Sequence, residues 1–257
     1  MKILQIPAFS DNYFWLLHEN NSKYAVAVDP GDYSPIIKSL EENNLELSDI
    51  LVTHHHNDHI GGILELKKKF PNINIYGPSD SRIPTTITVK DKDLIKLDSL
   101  KETFEVLNVK GHTNSHIAYY FKNKFFCGDT LFSCGCGRIF EGTYIDMHKA
   151  MAKIKKLPKE TLIYCAHEYT LNNIGFAKLV DPYNLDLILR ENQVKKLLSK
   201  NLFSVPSVLK NELKTNPFLR YDNVNIKNSI ESHFNISLES EVEVFKYTRL
   251  WKDQEYD

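Results

Sequence analysis

No apolar run in this chain approaches the roughly twenty residues that span a bilayer as a helix. The opening segment, Met1-Lys2-Ile3-Leu4-Gln5-Ile6-Pro7, lacks the long apolar stretch and small-residue cleavage site of a secretory leader, and it reads as a strand. Net charge is nearly absent: 32 basic residues stand against 33 acidic ones, for a formal charge of −1. That gives no global attraction to nucleic acid or to an anionic membrane. Cysteine is scarce as well. Of the four, Cys134 and Cys136 are separated by one glycine, which is neither redox-pair spacing nor half of a four-cysteine zinc site. Without a secretion signal, all four are expected to be reduced thiols. There is no Gly-x-Ser-x-Gly elbow to offer a serine nucleophile, and no internal repeat or low-complexity tract. These absences lead us to expect a cytoplasmic protein without a nucleic-acid or membrane partner; a monomer is expected as well.

What remains is ordinary bulk and one unusual stretch. A chain of 257 residues, 42% hydrophobic and 25% charged, can bury a real core as one large domain or a medium one with a small companion. The unusual stretch is Thr53-His54-His55-His56-Asn57-Asp58-His59. It follows the apolar Ile50-Leu51-Val52 and runs into Gly61-Gly62. His54, His56, Asp58 and His59 are all groups that bind transition metals at neutral pH. In an extended segment, residues two apart point the same way, so His54 and His56 can grip one ion. Asp58 and His59 come where the chain turns into a helix and can serve a second. Burying so many polar groups without partners is costly, and a metal-rich site supplies the partners.

The rest of the chain divides by texture. Strand patterns are expected at 2–6, 13–18, 24–28, 49–53, 74–76, 87–89, 94–97, 103–109, 117–121, 125–127 and 161–165. Helices are expected over 34–43, with Ser34 as N-cap, then 60–70 and 146–157. Past His167 apolar residues recur at helical spacing over 171–180, 185–198, 224–234 and 238–251, with no good strand. This predicts an α+β domain over residues 1–170, with two sheets packed together and covered by helices, and an α-helical domain over 171–257.

A catalytic zinc usually takes about three protein ligands, so two ions need more donors than the cluster offers. Three further candidates directly follow apolar runs: His112, Asp129 and His167. Strand ends are where a sheet can hold ligands rigidly beside open loops. His55 sits at a spacer position, His116 is placed to orient a ligand by hydrogen bonding, and His18, His148 and His233 are expected at the surface.

These residues resemble the metallo-β-lactamase superfamily, whose His-x-His-x-Asp-His signature matches 54–59. Further motifs are similar to those of the glyoxalase II (hydroxyacylglutathione hydrolase) family: Ser10-Asp11-Asn12-Tyr13, Gly128-Asp129-Thr130-Leu131-Phe132, Cys136-Gly137-Arg138, Glu141-Gly142-Thr143, His167-Glu168-Tyr169-Thr170, Asn216-Pro217-Phe218-x-Arg220 and Arg249-x-x-Lys252-Asp253. The resemblance implies a four-layer αβ/βα fold followed by the helical domain. It implies two divalent ions, zinc first with iron or manganese as alternatives. One would be held by His54, His56 and His112, the other by Asp58, His59 and His167, with Asp129 bridging; Asp58 and Asp129 count as catalytic too. It implies a glutathione thioester as substrate, read by Arg138, Tyr169, Arg249 and Lys252. The reaction implied is hydrolysis of S-D-lactoylglutathione by a metal-bridged hydroxide, the second step of methylglyoxal detoxification. Phe140 departs from the family, whose better-known members carry a tyrosine there.

Three rivals carry their own signatures. A persulfide dioxygenase of the same superfamily uses a single iron, and would not need Asp58, His59 and His167 beside the first site. A tRNA-processing nuclease should carry a lysine-rich arm. A non-catalytic binding module should have lost ligands, and none is missing.

Overall fold

A turn at Phe9-Ser10-Asp11 folds β1 (Lys2–Ala8) back on β2 (Asn12–His18), antiparallel from Lys2 opposite His18 to Ala8 opposite Asn12. A second reversal sets β3 (Tyr24–Val28) antiparallel to β2. Beyond it the neighbours are parallel, and parallel strands need a crossover. α1 (Tyr33–Glu42) returns the chain to β4 (Glu46–Leu51). The short α2 (Asn57–Ile60) and α3 (Ile63–Lys69) return it to β5 (Asn74–Gly77), which β6 (Ile87–Thr88) joins. Because β3 and β4 run parallel, both release their C-terminal ends at the same edge. Asp29 and the Thr53 cluster therefore emerge side by side.

The computed structural model describes residues 1–256, in two compact units: Met1–Asn108 with Ser115–Gly128, and Val109–Asn114 with the chain from Asp129. In the first unit alternate residues of each strand, Phe14 and Leu16, Ala25 and Ala27, Ile50 and Val52, join Ile36 and Leu40 of α1 and Ile63 and Leu66 of α3 in one apolar core. Burying each such aliphatic side chain stabilises by about 1.5–3 kcal/mol. The intervening residues, Trp15, Leu17, Val26, Val28 and Leu51, are buried on the opposite face.

A four-stranded meander completes this unit: β7 (Leu94–Leu97), β8 (Glu102–Asn108), β9 (Ile117–Phe121) and β10 (Lys124–Gly128), antiparallel in the order β10-β9-β8-β7. The buried Tyr119 hydroxyl of β9 donates to the Val52 carbonyl at 2.8 Å, and the Ile117 N–H donates to the Thr53 carbonyl at 3.0 Å. The meander thus packs directly against the start of the histidine cluster. Burial, reinforced by the nearby Asp29 charge, holds the Tyr119 hydroxyl well above the usual tyrosine range, so it stays a neutral donor.

The second unit opens with a two-residue-strand hairpin, β11 (Leu131–Phe132) and β12 (Gly135–Cys136). Then come α4 (Tyr144–Ile154), β13 (Leu162–Cys165), α5 (Thr170–Val180), α6 (Leu185–Leu198), β14 (Ser207–Val208), α7 (Leu209–Thr215), α8 (Val224–Phe234) and α9 (Glu241–Glu255). Helices α4 and α9 start with reciprocal capping boxes, Thr143 with Asp146 and Ser240 with Glu243, each satisfying two otherwise orphaned backbone donors. Among the described residues no helix is long and apolar enough to cross a membrane.

The helices expected over 185–198 and 224–234 form with those bounds. Others differ. Asp32, not Ser34, caps α1, its carboxylate accepting the Ser34 N–H at 2.9 Å. The expected helix over 60–70 is broken at Gly61-Gly62 into α2 and α3. Past His167 a strand does occur: β14 pairs antiparallel with β13, though two residues are too few to show alternation. His18 is buried at 7% exposure rather than superficial.

Candidate metal centre

In the first unit the donors are held by a buried carboxylate. Asp29 accepts the Thr53 backbone N–H and the Thr53 hydroxyl, each at 2.7 Å. With its own proton given to Asp29, Thr53 Oγ1 is the acceptor for His54 Nδ1, 3.0 Å away. His54 Nε2 therefore keeps its lone pair, and it lies 3.1 Å from His56 Nδ1. The ring of His116 stacks on that of His54, centroids 4.5 Å apart and 16° from parallel. Gly128 closes this corner: it has φ +48, and a Cβ there would come within 2.3 Å of Thr53 Oγ1.

Asp58 and His59 lie on α2. Asn12 Nδ2 donates to Asp58 Oδ2 at 3.0 Å, and the same oxygen is 3.5 Å from His59 Nε2. The other nitrogen of His59, Nδ1, is 3.1 Å from Asp29 Oδ2. Asp29 thus lies beside one imidazole and reaches another through Thr53. His55 turns elsewhere, with Nδ1 3.6 Å from Asp80 Oδ2. Hydrogen bonds from Arg82 hold that Asp80 carboxyl well below the usual carboxylate range.

In the second unit Asp129 stands between two histidines. Its Oδ2 is 3.5 Å from His112 Nε2 and its Oδ1 is 3.5 Å from His167 Nε2. His112 Nδ1 donates to the Arg138 carbonyl at 2.7 Å, which again leaves the lone pair on Nε2. Tyr169 lies flat on His167, centroids 4.7 Å apart and 6° from parallel, and Phe132 meets both rings edge-on.

Donor chemistry and spacing both fit metal ions. Ligands about 2.0–2.1 Å from a tetrahedral zinc lie roughly 3.3 Å from one another. The separations within each unit, 3.1 and 3.5 Å, are of that size, and Nε2 of His54 and of His112 carries a lone pair. The thiols are not competitors. All four cysteines are buried thiols outside any disulfide, and burial pushes Cys134 and Cys165 up to about 12 and Cys136 to about 11.

His112 and Asp129 open on a cleft of about 430 Å³, whose lining includes Arg138, Phe140, Tyr169, Asn172, Lys252 and Tyr256. Metal-type donors and two cationic side chains thus share one space. Lys252 is buried at 5% exposure, whereas Phe140 is 62% exposed, its ring edge-on to His112. Arg249 is fully buried on α9 and is not part of that lining.

The family model of the metallo-β-lactamase superfamily matches residues 11–167, and that of the hydroxyacylglutathione hydrolase C-terminus matches residues 168–255. A hydroxyacylglutathione hydrolase of Aliivibrio fischeri (strain ATCC 700601 / ES114) is 47% identical over 255 residues, 99% of each chain. One from Photobacterium profundum is 46% identical, covering 98% of this chain and 99% of that one. The chain belongs to the hydroxyacylglutathione hydrolase family. Solved structures support the fold: ETHE1 from Myxococcus xanthus superposes with a TM-score of 0.67 at 20% identity over 98% of both chains. The BLEG-1 B3 metallo-β-lactamase does so at 0.64 and 22%, covering 85% of this chain and 99% of that one. The C-terminal match to hydroxyacylglutathione hydrolases is what disfavours the dioxygenase alternative.

As a hydroxyacylglutathione hydrolase the chain carries His and Asp donors suited to a dinuclear metal site: His54, His56, Asp58 and His59 in the first unit, and His112, Asp129 and His167 in the second. Sequence reasoning missed the residues behind them. Asp29 was legible only as part of a turn, Thr53 and Asn12 only as neighbours of better candidates, and the Arg138 carbonyl has no side-chain signature. For Asp29 a usable signal existed: it directly follows the apolar run 24–28, as the other candidates follow theirs. Asn172 and Tyr256 had none.

Proposed function

We propose that this chain hydrolyses S-D-lactoylglutathione and related 2-hydroxyacyl thioesters of glutathione to glutathione and the free acid. The observation that carries this reading is the cleft in which His112 and Asp129 stand beside Arg138 and Lys252. Glutathione is a peptide with two carboxylates, and cations in a partly enclosed cleft suit it. About 430 Å³ falls within the usual range for a small-ligand site.

Two divalent ions, when bound, supply an acidified water and a positive charge for the carbonyl oxygen, which thioester hydrolysis needs at neutral pH. We propose zinc for both; iron or manganese would suit the same nitrogen and oxygen donors. One would be held by His54, His56 and His112, the other by Asp58, His59 and His167, with Asp129 shared. The chain's own work is positional. Thr53 and the Arg138 carbonyl keep His54 and His112 in the tautomers that present Nε2. Phe132 and Tyr169 wall the cleft against water, while Arg138 and Lys252 draw the carboxylates of the substrate. No protein nucleophile is required, and the thiolate of glutathione is a competent leaving group. We further propose residues 1–170 as the catalytic domain and 171–257 as the substrate-binding one, in a cytoplasmic monomer.

The test is thiol release from S-D-lactoylglutathione by zinc-loaded protein, abolished by a chelator and restored by zinc. Lys252→Ala should raise KM about tenfold to a hundredfold with kcat largely intact, since charge-assisted hydrogen bonds contribute about 1.5–3 kcal/mol. A neutral thioester without the glutathione carboxylates should be indifferent to that change. Equal wild-type efficiency on the neutral and the glutathione thioester would end the reading.

Phe140→Tyr gives a second check. A hydroxyl on this exposed ring should lower KM for glutathione thioesters by roughly two- to tenfold, the worth of one net hydrogen bond of about 0.5–1.5 kcal/mol. An unchanged KM would mean the new hydroxyl finds no partner on the substrate.

A further inference from the structure

The parallel strands β3, β4 and β5 release their C-terminal ends at one edge of the first unit. β3 delivers Asp29 there, and β4 delivers the 53–59 cluster. β5 runs through Pro78 and Ser79 to a second carboxylate, Asp80, whose side chain is only 7% exposed. Its Oδ1 accepts the Arg82 backbone N–H at 3.0 Å and Arg82 Nε at 2.8 Å. Its Oδ2 accepts Arg82 Nη2 and the Ser115 hydroxyl, each at 2.7 Å. His55 Nδ1 lies 3.6 Å from that same Oδ2. The arginine fork reaches both oxygens and so fixes the plane of the carboxylate. Those bonds also hold the carboxyl well below the usual range, so it is ionised at neutral pH.

Both groups facing Oδ2 support the His54–His56 pair. Ser115 leads into His116, a fully buried ring stacked on His54. His116 Nδ1 donates to the Ile117 carbonyl at 3.0 Å, and the Ile117 N–H donates to the Thr53 carbonyl at 3.0 Å. Holding Ser115 therefore holds the ring that backs His54. His55 sits between the two donors in sequence and meets the His56 ring edge-on, centroids 4.8 Å apart. Successive side chains of an extended segment point opposite ways. With His55 turned toward Asp80, His54 and His56 turn together the other way, and their ring nitrogens come within 3.1 Å. An Asx turn would need only the Arg82 N–H. The Ser115 and His55 contacts serve nothing in that turn.

We propose that Asp80, clamped by Arg82, is a positioning residue for the His54–His56 pair, acting through His55 on one side and Ser115 on the other. This rests on the metal reading above and not on the thioester one. The experiment compares zinc-loaded wild type with Asp80→Asn, Ser115→Ala, Arg82→Met and Arg82→Lys. Zinc transfer to a chromogenic chelator is followed without substrate, and histidine ring 15N shifts are recorded on metal-free protein. Asp80→Asn keeps the shape but turns an NH2 either toward the arginine fork or toward Ser115 and His55. It should lose zinc about tenfold faster, the scale for groups that orient metal ligands, with altered shifts at His54 and His56. Ser115→Ala and Arg82→Met should each fall between that variant and the wild type. Arg82→Lys keeps the charge without the fork, so it should recover part of the Arg82→Met loss. Ser115→Ala placed on Asp80→Asn should add little, because residues that act along one path are not additive.

Wild-type zinc transfer in Asp80→Asn, whatever its melting temperature, would overturn the proposal and leave Asp80 a brace for its own loop. Full additivity of Asp80→Asn and Ser115→Ala would overturn it too. If Asp80→Asn does not fold, the other three variants decide, and wild-type transfer in all of them counts against it. A wild type that holds zinc but is inert toward glutathione thioesters would refute the hydrolase reading and leave this one measurable. A wild type that holds no zinc would refute the metal reading, and unchanged His54 and His56 shifts in Asp80→Asn would then overturn this proposal as well.

Discussion

Asp129→Ala should reduce bound metal from two ions per chain to less than one and lower kcat about a thousandfold or more. The reason is that its two oxygens face different partners: Oδ2 is 3.5 Å from His112 Nε2 and Oδ1 is 3.5 Å from His167 Nε2. A carboxylate with one oxygen toward each histidine can serve an ion on either side. Its loss removes a negative charge from each and lets two buried imidazoles relax toward one another. Metal-assisted charge stabilisation is worth several kcal/mol, and about 4 kcal/mol corresponds to the thousandfold loss. Asp129→Asn should fall between wild type and alanine, because the amide keeps one oxygen. Metal analysis by plasma emission on gel-filtered protein, paired with thioester kinetics, reads both effects. Two ions retained, with kcat within tenfold of wild type, would show that Asp129 bridges nothing.

The candidate donors were legible because each obeys a local rule. The 54–59 cluster follows an apolar run with donors at alternate positions, and His112, Asp129 and His167 each come just after one. The strand ends bear this out: β4 stops at Leu51, β10 at Gly128 and β13 at Cys165. The helical periodicity of 185–198 and 224–234 was equally local, and α6 and α8 occupy those spans. α7 was not legible, since Leu209–Thr215 is too short for the 3.6-residue period to repeat. Nor was the burial of Arg249, which depends on a backbone carbonyl 113 positions earlier in the chain. A basic residue near a helix end looks the same in sequence whether it faces a ligand or a neighbouring loop.

Asp29→Asn is the sharpest case of a role set by tertiary pairing, and it should weaken metal retention about ten- to a hundredfold, the range for groups that orient metal ligands. Thr53 is 24 positions from Asp29, and only the parallel register of β3 and β4 brings them together. The carboxylate accepts from the Thr53 N–H and the Thr53 hydroxyl and lies 3.1 Å from Nδ1 of His59. Asparagine keeps the shape, and it tolerates the left-handed φ of +51 found here, since Asn visits that region readily. It cannot accept on both sides. With its oxygen left to the Thr53 N–H, its NH2 turns toward Thr53 Oγ1 and His59. The Thr53 proton is then driven toward His54 Nδ1, and His59 Nδ1 becomes an acceptor. Both rings move their proton to Nε2, the atom each would use to bind metal. Asp29→Ala should be worse for a different reason. It strips the partner from a buried N–H and a buried hydroxyl at about 1–3 kcal/mol apiece, so it loses stability as well as metal. Imidazole 15N shifts of metal-free Asp29→Asn should report the changed tautomers, alongside chelator competition for metal affinity. Wild-type metal affinity with unaltered histidine tautomers in that variant would remove Asp29 from the account.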